Sequence, residues 1–186
     1  MHGRRVVGHR IMAAQLPTVF GQSLTTLRAL VRERRPALVI CLGLAAGRGA
    51  ISIERVAINV NDARIADNAG RQPVDEPVIE DGPSAYFSTL PIKAMRAAIE
   101  TKGIAAEVSQ TAGTFVCNYV FYGLMHLLST CRGLKGTRGG FIHVPMLPGQ
   151  GAPSMALETL VEGLRVGIRT ALTTTVDLRQ EAGKIS

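Results

Sequence analysis

The sequence predicts a single α/β domain: a mostly parallel, twisted sheet with helices on both faces. Three observations carry this expectation. Apolar runs of strand length alternate with helical periodicities through almost the whole chain. One of those runs, "ALVICLG" (37–43), is continuously apolar between Pro36 and a closing glycine, the pattern of a strand buried on both faces of a parallel sheet. The composition, 46% hydrophobic but only 4% aromatic and without Trp, supplies the small aliphatic interior of a layered α/β protein. At 186 residues, one domain spanning 1–186 can bury a substantial core.

The elements follow in order. "RRVVGHRIMAA" (4–14) reads as a strand, and residues 22–35 as a helix stopped by Pro36. After the strand at 37–43, "ERVAINV" (54–60) is a further strand. The stretch 61–84 holds too much Asn, Asp, Gly and Pro for regular structure, so it reads as a functional loop or an excursion hairpin. "SAYFSTLPIKAMRAAIETKG" (84–103) is helical around and beyond Pro91 and closes at Gly103. "IAAEVSQ" (104–110) is a strand, "TFVCNYVFYGLMHLLST" (114–130) a buried helix, "GGFIHVPML" (139–147) a strand, and 154–176 a long amphipathic last helix.

Composition excludes several function classes. No run reaches about 18 consecutive apolar residues, so no membrane span is expected. The basic start leads into no signal core, and a cytoplasmic protein is the default. The formal charge of +7 raises nucleic acid as a partner. However, Arg28, Arg32, Arg34 and Arg35 fall opposite Leu24, Leu27, Leu30 and Val31 on a helix, with no aromatic residues among them, so they read as a solvated face. No nucleic-acid partner is expected. Cys41, Cys117 and Cys131 have unrelated spacings that suit neither a disulfide framework nor a zinc site, and no metal site is expected.

Chemistry in open α/β sheets collects where strands end and the following helices begin. Cys117 occupies such a place, just past the strand 104–110 and in the first turn of a helix beginning near Thr114. Unpaired N–H groups and the helix dipole would there lower its pKa toward neutrality, as a nucleophile requires. Cys41, inside an apolar strand, reads as packing. A thiolate needs a base. His126 lies about 13 Å further along the same helix, out of reach, and His2 and His9 stand near a basic terminus. His143, at the end of the strand 139–147, belongs to the edge where Cys117 emerges. A third group should orient its ring, and both Glu54 and Asp62 lie near a strand end; spacing does not choose between them.

Four blocks, "TAGTFVCN", "GRGAISIERVAINVNDARIADN", "GPSAYFSTLPIK" and "RGGFIHVP", resemble the signature blocks of the pyroglutamyl peptidase I (pyrrolidone-carboxylate peptidase) family of cysteine peptidases, in the family's order and near its spacing. The resemblance covers about residues 13–175. It implies a catalytic triad of Glu54, Cys117 and His143 that removes an amino-terminal pyroglutamyl residue from peptides through a thioester, with no cofactor. It also implies that Phe115 and Val116 line the ring pocket, that Arg64 polarises the substrate carbonyl unless a structural salt bridge occupies it, and that the chain forms a homo-oligomer, a dimer or tetramer.

Departures accompany the likeness. The family's opening strand and its "TGFxPFGG" loop are missing, which would open the ring pocket and expose a sheet edge. Leu44 stands where the family usually carries Gln, and "PMLPGQGAPS" is shortened. These differences set an active omega-peptidase against a catalytically impaired member acting only as an oligomerising or binding domain. A nucleoside-phosphorylase-like enzyme ranks below both, because no Gly-rich phosphate cradle is present.

Overall fold

The computed structural model describes residues 1–182, so the last four residues of the expected 1–186 domain lie outside the described residues. Its centre is a four-stranded sheet in the order β3 (Leu38–Leu44), β8 (Arg138–Val144), β4 (Ile51–Glu54), β7 (Ala106–Ser109). β3 pairs β8 and β4 pairs β7 in parallel, while β4 and β8 run antiparallel with Ser52 opposite His143. The sheet is therefore mixed, with two of its three pairings parallel.

Helices cover both faces. α1 (Gln22–Arg34) and α3 (Val116–Thr130) lie on one side, where Leu24, Leu27, Val31, Phe121, Leu124 and Phe141 form one core. α2 (Ile92–Glu100) and α4 (Leu157–Thr173) lie on the other, packing Met95, Ile99 and Leu160 on Ile51, Ile53 and Ile142. Period-two alternation divides β3 and β8 between these cores, whereas β4 and β7 give their apolar residues to the second and turn Ser52, Glu54, Glu107 and Ser109 to the other face. Each fully buried large aliphatic side chain contributes roughly 1.5–3 kcal/mol. α1 ends where Pro36 predicts: Arg35 takes a left-handed conformation, its N–H bonds Val31 O, and Pro36 follows. Arg32, Arg34 and Arg35 face solvent.

Three expectations are corrected. Residues 4–14 are no single strand but a tiny hairpin, β1 (Arg5–Val6) and β2 (His9–Arg10), turned by positive φ at both Val7 and Gly8. That pair of left-handed residues is a type I′ geometry, for which Gly8 was the available signal. The strand at 54–60 is divided by Arg55: β4 ends at Glu54, and β5 (Val56–Ile58) leaves the main sheet to pair with β6 (Ala85–Phe87). Residues 85–87 are consequently strand, with helix only from Ile92. The irregular stretch 61–84 is the excursion of this hairpin, folded around Asp67. The Asp67 carboxylate accepts the N–H groups of Phe20, Ala69 and Arg71, and these bonds hold its pKa low even though burial opposes them.

Candidate active site

The local order of the sequence explains where each site residue stands. Gly113, with φ of 75°, turns the chain after β7, and Phe115 in extended conformation starts α3, so Cys117 falls in the helix's first turn. No side chain caps this helix and no acidic residue enters its first turn, so the N–H groups of Val116, Cys117 and Asn118 have no intrahelical acceptor. Thr114 Oγ1 donates to Asp62 O (2.6 Å) and Asp62 N–H to Thr114 O (3.0 Å), tying this turn to the 61–84 excursion.

The thiol stands against β3. A Cβ built on Gly43 would come 2.9 Å from Cys117 Sγ. Gly43 pairs in parallel register with His143, and paired residues on strands about 4.8 Å apart project to the same face. Sulfur and imidazole therefore share one face of two neighbouring strands. His143 is 5% exposed, its ring 4.8 Å from that of Phe141. Its Nδ1 bonds Glu54 Oε1 at 2.7 Å, and Glu54 is wholly buried. A carboxylate oxygen only accepts, so Nδ1 carries a proton, and in the neutral ring Nε2 presents a lone pair. Asp62, the other carboxylate candidate, is exposed.

One expectation about this site is reversed. The Cys117 thiol is not lowered but pushed up to about 11, first by burial, then by the negative charge of Glu54, with Arg48 pulling the other way. Burial of the sulfur and the Glu54 charge oppose the ionisation that a helix start would favour. Cys41, one residue pair further back on the same face of β3, is pushed up to about 12 by burial and by repulsion from Cys117.

The remaining assignments divide. Phe115 is half-buried, its ring edge-on to Phe20 at 5.5 Å, whereas Val116 is buried within the core. Arg64 is exposed and makes no ion pair among the described residues. Leu44 alternates to the face away from the thiol and is 55% exposed, as is its neighbour on that face, Leu42, at 53%. His126 bonds the Tyr86 hydroxyl instead, away from the sulfur.

Two residues here are missed by sequence reasoning. Arg48 donates from Nη1 to the same Glu54 Oε1 at 2.7 Å. Asn118, next to the nucleophile and fully buried, accepts Ile58 N–H and donates to Ile58 O and Val60 O, fastening β5 to α3. Asn118 had a signal: an amide in an otherwise apolar helix must find buried partners.

Comparison with known proteins identifies the family. The family model for pyroglutamyl peptidase matches residues 1–174. The chain belongs to the pyroglutamyl peptidase family. It is 56% identical to the pyrrolidone-carboxylate peptidase of Cupriavidus taiwanensis, over all of this chain and 88% of that protein. It is 52% identical to that of Brevibacillus brevis, over 96% of this chain and 84% of that protein. The crystal structure of pyroglutamyl peptidase I from Bacillus amyloliquefaciens superposes with a TM-score of 0.92 at 44% identity, covering 97% of this chain and 87% of that one. A pyrrolidone carboxyl peptidase variant from Pyrococcus furiosus gives 0.89 at 40% identity, covering 94% and 88%. These likenesses carry the mixed α/β fold and the cysteine-peptidase class to this member of the family.

Proposed function

We propose that this pyroglutamyl peptidase family member hydrolyses the bond after an amino-terminal pyroglutamyl residue, with Cys117 as nucleophile, His143 as general base and acid, and Glu54 orienting the imidazole. The observation that carries the reading is the buried 2.7 Å bond from His143 to Glu54, beside the strand residue over which the Cys117 thiol stands. With the thiol's pKa raised by burial, attack and deprotonation go together: His143 Nε2 takes the proton as Sγ bonds to the pyroglutamyl carbonyl carbon. The oxyanion is met by the uncapped N–H groups at the start of α3. His143 then returns the proton to the leaving amine, and water, deprotonated by the same ring, hydrolyses the thioester to release pyroglutamate.

Phe115, half-buried beside the nucleophile, is positioned to wall a small lactam ring. Val116 supports that wall from the core. Arg64, solvent-facing two residues beyond the point where Asp62 bonds Thr114, is assigned to the substrate carbonyl. Relatives named as peptidases at 56% and 52% identity favour this enzyme over an impaired binding domain. Among the described residues no helix is long and apolar enough to cross a membrane. The reading extends to a cytoplasmic homo-oligomer, with exposed Leu42 and Leu44 on edge strand β3 as the apolar surface that favours association.

Cleavage of a pyroglutamyl chromogenic amide by the purified chain, with Cys117→Ala as control, tests the activity. Release of chromophore well above that control is expected. Rates equal to the control overturn the assignment.

A further inference from the structure

We propose that Arg48 is a positioning residue of this reaction, whose forked guanidinium joins the buried Glu54 carboxylate to the chain segment that carries Cys117; the inference rests on the reading above. Arg48 lies in the turn between β3 and β4. Its Nη1 donates to Glu54 Oε1 at 2.7 Å and to Ser109 Oγ at 3.3 Å, and its Nη2 donates to Thr111 O at 3.0 Å. Ser109 Oγ itself donates to Thr111 O at 3.1 Å. Residues 111–115 lead directly into α3, so one planar group spans the triad's carboxylate and the approach to its nucleophile. Three acceptors in different directions suit the rigid fork of Arg and not the single ammonium of Lys.

The sharing of Oε1 is the central feature. His143 Nδ1 and Arg48 Nη1 both donate to that oxygen at 2.7 Å, while Oε2 is buried without a hydrogen-bond partner. Removing Arg48 would leave the carboxylate free to rotate and would loosen the ring orientation that the bond to His143 Nδ1 fixes. Arg48 is also a quarter exposed at its side chain whereas Glu54 is not exposed at all, so it stands between the buried carboxylate and water.

Charge points the same way. The groups facing the thiol are Glu54 from β4, His143 from β8, Cys41 from β3 and Arg48 from its turn, with Glu107 on β7 engaged by the Ser52 hydroxyl. Glu54 raises the thiol's pKa and Arg48 lowers it. Arg48 thereby offsets part of the charge by which the carboxylate, in orienting the histidine, opposes the ionisation of the cysteine.

The test uses Arg48→Gln and Arg48→Lys in the full chain. Two readouts are taken: kcat and KM on a pyroglutamyl chromogenic amide, and the pH dependence of iodoacetamide alkylation at the Cys117 peptide, followed by mass spectrometry. For Arg48→Gln, kcat should fall about 10- to 100-fold with KM nearly unchanged, as for lost orientation. Its alkylation midpoint should rise by about one pH unit, as for a lost neighbouring cation. Arg48→Lys should hold the midpoint near that of the unaltered chain while recovering only part of kcat. An Arg48→Gln midpoint that does not move overturns the proposal, and so does an Arg48→Lys chain with unaltered kcat, which also decides the case if the Gln variant does not fold. A chain that cleaves no amide at all refutes the peptidase reading instead, and the alkylation profile still judges Arg48.

Discussion

The sulfur of Cys117 lies over the α-carbon of Gly43, in space that any side chain at 43 would occupy. A Cβ there would meet Cys117 Sγ at 2.9 Å and Phe141 Cζ at 2.9 Å. Both are closer than real methyl contacts allow, and Phe141 is fixed by its ring contacts with Phe121 and His143. The movable partner is therefore the thiol. Gly43→Ala should reduce kcat/KM at least about tenfold, because small misplacement of a nucleophile costs heavily, and should destabilise the fold by about 1–3 kcal/mol through overpacking. Steady-state kinetics and urea unfolding check the two parts. Undiminished kcat/KM in a folded Ala variant would show that the thiol does not work from this place.

Glu54 has two opposed effects on catalysis, and a single substitution separates them. Its bond orients His143, but its charge raises the thiol's pKa. Glu54→Gln keeps the shape and removes the charge, so the thiolate fraction at neutral pH should rise and iodoacetamide should alkylate Cys117 faster. Peptidase turnover should meanwhile drop roughly 10²- to 10⁴-fold, the scale of losing a correctly oriented, charge-stabilised imidazole. Reactivity up and turnover down in the same protein is the expected signature. Alkylation slowed along with turnover would mean that Glu54 assists ionisation and not orientation.

How much of this was legible in the chain depends on the range of the interaction. The buried run ending at Gly43 and the helix stop at Pro36 are local signals, and β3 and α1 appear where they point. The split at Arg55 was not legible, because β5 takes its partner β6 from beyond the 61–84 excursion. The candidate nucleophile, base and carboxylate could be picked from strand ends and from the family's blocks. Arg48 could not, since its acceptors Ser109 and Thr111 lie more than sixty residues away. The thiol's raised pKa is not legible for a related reason. Helix position is visible in sequence, whereas the burial and the Glu54 charge that raise the thiol's pKa arise only when three strands meet.

Cys41 gives the fold an alkaline weakness that can be measured apart from catalysis. Its thiol is pushed from an ordinary 9.0 to about 12, chiefly by burial. The folded chain therefore keeps this proton between about pH 9 and 12 while the unfolded chain loses it, and stability must fall as pH rises through that window. Below pH 9 both states hold the proton, and the contribution is complete and flat. The slope for one such group approaches roughly 1.4 kcal/mol per pH unit. Cys117, raised to about 11, adds a second contribution with the same sign over a narrower range, and Tyr122, raised from 10.0 to about 12, adds a third. Cys41→Ala leaves those two in place and removes only the first. Urea unfolding under reducing conditions, from about pH 8 to 10.5, should show a shallower decline in the Ala variant, offset by a constant loss for the missing sulfur. Parallel declines in the two proteins would mean that the Cys41 thiol ionises as easily folded as unfolded, which its place beneath α3 forbids.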